Sequence, residues 1–242
     1  MKNEAVKLGA VLDKTNISSG KCENCGYRPR WRYGNEIKKW CYRCIQVWER
    51  KQGLTEYQVE RTICKIVEPL YLDAKMSDLS VELQGGLEKI GIGQDIFFHG
   101  PIGTGKTHAM AALVRKYVYE GYECERINFD DFCVKVRSAM SPVSTLTEWD
   151  MIEPLKNIDI LFIDDLGLRS KQETDFAYVT FYSILNKRQE RRLSTVVSSN
   201  KDIKHLATAF DSRIASRLST ALIIEMSGKD RRASVAKQKA KE

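Results

Sequence analysis

The spacing of apolar and polar positions divides the chain near residue 95. From about residue 53, GLTEYQVERTICKIVEPLYLDAKMSDLS carries apolar residues at helical intervals, breaks at Pro69 and continues as shorter helical stretches. Beyond it, short β-branched or apolar runs alternate with helical ones. Strands are predicted at Asp95 to His99, Cys124 to Asn128, Ile158 to Ile163, Ser194 to Ser198 and Ala221 to Glu225. Helices are predicted over about 106–120, 130–140, 147–156, 172–190, 202–209 and 211–218. Strands separated by helices imply an α/β fold, with a parallel sheet covered on both faces. Ligands of such sheets bind beyond the carboxyl ends of the strands.

The first of those ends reads GPIGTGKTH: Gly100, Pro101, Ile102, Gly103, Thr104, Gly105, Lys106, Thr107 and His108. Its G-x-x-x-x-G-K-T spacing, between a strand and a helix, is the phosphate-loop pattern. Glycines let successive N–H groups turn toward phosphate oxygens, and the helix start adds a positive dipole end. Lys106 is expected to reach the β- and γ-phosphates of ATP, and the Thr107 hydroxyl to take a Mg²⁺ position. The bland alternative is a glycine-rich turn that happens to contain a lysine.

NIDILFIDDLG supplies a second strand end, some sixty residues later, with two carboxylates. Asp164 is expected near Mg²⁺, and Asp165 beside the γ-phosphate where an attacking water would sit. STVVSSN ends at Asn200, whose amide could orient that water or sense the phosphate, or simply serve a turn. DSRIASRLST places Arg213 and Arg217 on a short helix. Arginine at a subunit boundary can complete a neighbour's site, although spacing alone describes ordinary surface arginines.

Composition adds a metal and a charge. Cys22 with Cys25 and Cys41 with Cys44 form two C-x-x-C pairs, separated by fifteen residues, a Cys₄ zinc spacing. A redox dithiol or simple packing competes with that reading. Cys64, Cys124 and Cys133 are expected to be small buried residues. The net charge of +7 is concentrated in residues 21–51, where nine Lys or Arg meet three Glu, interleaved with aromatics. Such a surface suits nucleic acid or a protein partner equally. No apolar run approaches membrane-spanning length and the opening residues lack a secretory apolar core. A cytoplasmic protein without membrane contact is expected. The organisation predicted is a polar segment over 1–20, a zinc-binding domain over 21–51, a helical connector over 52–80, an ATPase domain over 81–228 and a basic tail over 229–242.

GPIGTGKTH, LFIDDLG, STVVSSN and SRIASRL, in this order, resemble the AAA+ ATPases. More narrowly they resemble bacterial helicase loaders of the DnaC and DnaI type and their IstB transposition relatives, over about residues 65–235. The resemblance implies a P-loop NTPase fold with a five-stranded sheet of order 5-1-4-3-2. It implies that Lys106, Asp164, Asp165 and Asn200 serve ATP hydrolysis, with Arg217, or in reserve Arg213, acting on a neighbouring subunit. It further implies self-assembly into a spiral on single-stranded DNA, with Lys135 and Arg137 in the DNA-contacting segment, and an amino-terminal zinc domain that engages a hexameric replicative helicase. Arg231 and Arg232 fall where a second sensor would lie. Aspartate at 165, where many AAA+ motors carry glutamate, implies slow turnover. An IstB-like helper would instead bind duplex DNA and recruit a transposase, and a third reading keeps only a nucleic-acid-binding zinc module with a structural nucleotide site.

Overall fold

A computed structural model describes residues 17–26, 29–33, 36–37, 39–88, 93–139, 147–167, 174–209 and 212–230. The chain divides into two units, Met1–Glu49 and Arg50–Glu242.

In the first unit, β1 (Ile17–Lys21), β2 (Pro29–Tyr33) and β3 (Glu36–Ile37) form an antiparallel sheet in sequence order. Helix α1 (Tyr42–Gly53) begins in this unit. Small polar residues in β1 and charged and aromatic ones in β2 interrupt any apolar pattern here. Among the described residues a buried centre is formed by Cys22, Cys41 and Cys44, with Cys25 and Trp40 packed against them.

The second unit begins with α2 (Glu56–Ile66), started by a capping box between Thr55 and Gln58. Pro69 lacks the N–H a helix would need, so single turns at Pro69–Tyr71 and Met76–Asp78 follow. Next come α3 (Val81–Glu88), β4 (Ile96–His99), α4 (Lys106–Tyr119), β5 (Cys124–Asn128) and α5 (Phe129–Ala139). Then follow α6 (Glu148–Ile152), β6 (Ile160–Asp164), α7 (Thr174–Glu190) and β7 (Ser194–Ser199). The unit ends with α8 (Ile203–Ala209), α9 (Ser212–Leu218) and β8 (Leu222–Glu225).

The five strands run parallel in the order β5-β6-β7-β4-β8. Numbered by appearance and taken from the β8 edge, that is the expected order 5-1-4-3-2. Alternation along each strand builds two cores. Ile96 and Phe98 of β4, Ile160 and Phe162 of β6 and Val196 of β7 face the layer containing α2 and α4. Phe97, Leu161, Ile163 and Val197 face the layer containing α5, α7 and α9. Every residue of β6 is buried, and burial of each large apolar side chain contributes about 1.5–3 kcal/mol. The sheet is therefore a rigid platform from which the loops at its carboxyl edge project.

Two local expectations change. The helix predicted over 147–156 is α6 followed by a 3₁₀ turn at Pro154–Lys156, again because proline interrupts the helix. Cys64, expected to be buried, is exposed on α2, whereas Cys124 and Cys133 are buried. On that helix Val59 and Ile63 take the inward face, and Cys64, one residue on from Ile63, is turned about 100° away.

Candidate functional site

Strand β4 delivers the chain to Gly100, and α4 begins at Lys106. The turn between them requires glycine. Gly100 has φ +143°, and a Cβ there would lie 2.2 Å from the Met226 carbonyl oxygen. Gly105, with φ +100°, caps α4 in the left-handed region. Thr104 Oγ1 donates to Pro101 O at 2.9 Å, and Lys106 Nζ donates to Gly100 O at 2.7 Å and Pro101 O at 2.8 Å. The lysine is thus folded over its own loop, buried, at the amino-terminal end of a 14-residue helix. A concave run of N–H groups with an ammonium beside it can hold an oxyanion. Gly103, with φ +78°, lies against the Asp230 carboxylate.

Strand β6 ends at Asp164, which is buried. Its Oδ1 lies 3.5 Å from Thr107 Oγ1 and accepts from Ser198 Oγ and from the Asp165 N–H. Its Oδ2 accepts from Arg126 at 2.6 Å. A hydroxyl and a carboxylate at the edge of the phosphate loop form an all-oxygen donor pair, the chemistry Mg²⁺ selects. Asp165 follows with φ +59°, a left-handed conformation that aspartate tolerates better than most residues. Its N–H donates to Ser198 Oγ at 2.9 Å, and its Oδ1 accepts from Asn200 Nδ2 at 3.1 Å. Leu166 N–H to Ser198 O and Ser199 Oγ to Leu166 O tie these two loops together. An exposed carboxylate held by an amide beside an oxyanion cradle can accept a proton from a water aimed at that cradle.

Nothing in the sequence announces the cleft beside the loop. It measures about 490 Å³ and is lined in part by Leu79, Leu83, Thr104, His108, Ile224 and Met226. It joins the segment before β4 to the end of β8, two regions about 140 residues apart that no local motif connects. Apolar side chains, with Glu82, His108 and Glu225 among the lining residues, suit a flat heteroaromatic group. His108 Nε2 lies 3.3 Å from Asp78 Oδ2. A backbone hydrogen bond from Lys75, reinforced by His108, holds the Asp78 carboxyl below its usual range.

The remaining candidates are distributed elsewhere. Arg217, half-buried, donates to Gln189 Oε1 at 2.9 Å, to Tyr182 OH at 3.2 Å and to Asn186 Oδ1. Arg213 is exposed, with its guanidinium 5.3 Å from the Tyr182 ring centroid. Both arginines therefore sit against α7. Lys135 and Arg137 are exposed on α5, flanking buried Val136. Arg231, Arg232 and residues 140–146 lie outside the described residues.

In the first unit, the four sulfur atoms of Cys22, Cys25, Cys41 and Cys44 lie within 4.8 Å of one another. The Gly26 N–H donates to Cys22 O at 2.8 Å, and Gly26 has φ +68°, closing the first knuckle. The Cys41 N–H donates to Cys22 Sγ at 3.1 Å. A hydrogen bond with Cys41, together with burial, pushes the Cys44 thiol up. Four mutually close sulfurs in this arrangement fit a tetrahedral zinc ion.

A parallel sheet of this order, with a phosphate loop at its first strand and paired carboxylates at its third, defines an AAA+ nucleotide-binding ATPase domain. The chain belongs to the family described as the bacterial DnaA ATPase domain, whose model matches residues 92–225. It is 26% identical over 121 residues to the replicative helicase loader DnaC of Buchnera aphidicola from Acyrthosiphon pisum, covering 50% of this chain and 48% of that protein. It therefore spans about half the length of this relative. To DnaC of Escherichia coli K12 it is 20% identical over 213 residues, covering 79% of this chain and 82% of the relative. Among solved structures it resembles one of DnaI with a TM-score of 0.57 and 22% identity, covering 71% of this chain and 100% of that one. It resembles AMPPCP-bound DnaA from Aquifex aeolicus with a TM-score of 0.57 and 22% identity, covering 72% of this chain and 56% of that one. The structural likenesses speak to the fold. Among the described residues no helix is long and apolar enough to cross a membrane.

Proposed function

We propose that this protein is a nucleotide-switched ATPase that loads a replicative ring helicase onto single-stranded DNA. The observation that carries the reading is the convergence of Lys106, Thr107, Asp164, Asp165 and Asn200 at one sheet edge, in a chain similar to DnaC loaders over most of its length. ATP is the substrate. Its base occupies the cleft between Leu83 and Ile224, and its phosphates take the loop of residues 100–107. Lys106 turns from its carbonyl contacts to the β- and γ-phosphates, exchanging neutral acceptors for charged ones. Thr107 and Asp164 hold Mg²⁺, which would neutralise charge on the β- and γ-oxygens.

Asp165 accepts a proton from water as the water oxygen bonds to the γ-phosphorus, and the bond from phosphorus to the bridging oxygen breaks, leaving ADP and phosphate. Asn200 fixes the Asp165 carboxylate for that step. Arg217 or Arg213 of an adjacent copy meets the developing charge, so turnover depends on self-assembly. Lys135 and Arg137 contact the DNA backbone from α5. Cys22, Cys25, Cys41 and Cys44 hold zinc, whose ligation stabilises a unit this small, and residues 21–51 dock the helicase. Residues 81–228 form the ATPase domain, joined through 52–80, and 229–242 form a basic tail.

The test is mass photometry of the full chain with its host's replicative helicase, ATP and Mg²⁺, beside the Cys41→Ser/Cys44→Ser variant. A complex lost in the variant, with ATP turnover intact, supports loading through the zinc domain. No complex, together with ATP-dependent assembly on duplex DNA, would replace the proposal with a transposition helper.

A further inference from the structure

Arg126 lies on β5, paired in register with Phe162, two residues before Asp164 on β6. Its side chain is only 7% exposed and carries two ion pairs: 2.6 Å to Asp164 Oδ2 and 2.7 Å to Glu68 Oε1. Its Nε is buried without a hydrogen-bond partner among the described residues. The two carboxylates, Glu68 and Asp164, flank the guanidinium. The guanidinium directs a full positive charge at the carboxylate assigned to the metal.

The two Asp164 oxygens have different partners. Oδ1 faces Thr107 and is held by Ser198 and the Asp165 N–H, while Oδ2 is held by Arg126. Orientation of the metal-facing oxygen therefore has two supports that do not involve Arg126. What Arg126 adds is charge. Glu68, half-exposed between α2 and the Pro69–Tyr71 turn, offsets that charge from the other side.

We propose that Arg126 is a positioning residue that acts as an internal counter-cation for Asp164, and that Glu68 sets how strongly it competes with Mg²⁺. The proposal rests on the nucleotide-site reading above. In the absence of metal the guanidinium keeps the buried carboxylate compensated. When metal arrives, the same charge opposes it through the shared carboxylate, so Mg²⁺ binds less tightly than Thr107 and Asp164 alone would allow. Any movement of the segment after α2 that withdraws Glu68 strengthens the opposition. Metal loading is thereby linked to a segment outside the phosphate loop.

Two substitutions should move the site in opposite directions, which a merely structural ion pair would not do. The readout is fluorescence of a methylanthraniloyl-labelled ATP analogue bound to the full chain, titrated with Mg²⁺ from an EDTA-buffered start, with melting temperature measured alongside. Arg126→Gln should lower the Mg²⁺ midpoint at least fivefold, and Glu68→Gln should raise it at least twofold. If Arg126→Gln does not fold, Glu68→Gln decides by itself, because its side chain is half-exposed. A Glu68→Gln midpoint that is unchanged or lower overturns the inference, as does an Arg126→Gln midpoint that rises. Absence of analogue binding by the unmodified protein, with or without Mg²⁺, would overturn the nucleotide-site reading as well.

Discussion

Replacing Gly100 with alanine tests whether the phosphate loop is locked to the end of β8. The added Cβ would stand 2.2 Å from the Met226 carbonyl oxygen and 3.0 Å from its carbonyl carbon, both backbone atoms that cannot rotate away. A φ of +143° adds strain of about 1–3 kcal/mol for a residue with a side chain. Relieving the clash moves Met226, whose N–H donates to His99 O at 2.7 Å, and a lost hydrogen bond costs about 1 kcal/mol. Together these amount to roughly 2–4 kcal/mol, or a melting point lower by roughly 4–16 °C for a domain of this size. Gly103→Ala is the internal comparison. The nearest atoms to its Cβ would be the carboxylate end of the Asp230 side chain rather than backbone, so the main cost is about 1–2 kcal/mol of left-handed strain. Circular-dichroism melts without nucleotide should rank Gly100→Ala below Gly103→Ala. The reverse order, or a Gly100→Ala melt within 1 °C of the unmodified protein, would refute the idea that backbone contact with Met226 fixes the loop.

Asp165→Asn keeps the left-handed backbone accessible but removes the proton acceptor, so turnover should fall by about 10²–10⁴ while ATP-analogue affinity changes little; a smaller loss in a phosphate-release assay would assign the base elsewhere. Arg188→Met should destabilise the fold by about 3–5 kcal/mol in urea titration, because the fully buried guanidinium bonds the carbonyls of Leu155, Ile158 and Ser194, which methionine leaves unmet. Elemental analysis should find about one zinc per chain, lost in Cys41→Ser/Cys44→Ser; equal zinc in both would dismiss the Cys₄ site.

The parallel sheet was legible because its strands are short apolar runs buried on both faces, and such runs stand out wherever helices separate them. Ile160 to Ile163 contribute to both cores, so no polar residue interrupts the pattern. The amino-terminal sheet was not legible. Its strands are short, the longest being five residues, and β1 reads ISSGK while β2 carries arginine and tyrosine where an apolar alternation would be sought. There the cysteine spacing, rather than periodicity, showed that the region has a centre. Arg188 shows a different limit. NKRQERR looks like a solvated helix end, yet Arg188 is wholly buried because the carbonyls of the turn before β6 converge on it. Only tertiary placement supplies those acceptors.

The same distinction governs the candidate site. Residues joined by local chain geometry could be named from spacing, since the turn between β4 and α4 makes the glycines and Lys106 neighbours. Asp164 and Asn200 could be named because each ends a central strand, and parallel strands in register bring their ends to one edge. Arg126 lacks both signals. It sits in the middle of an edge strand, where the side-chain period alone says only that it shares a face with Asn128. That this face also receives Glu68 from a turn almost sixty residues earlier depends on α2 packing against α4, which apolar burial drives and no charge pattern announces. Groups placed by one turn or one strand end can therefore be located from a single sequence. The charges that meet them arrive through packing, and they are visible only once the packing is known.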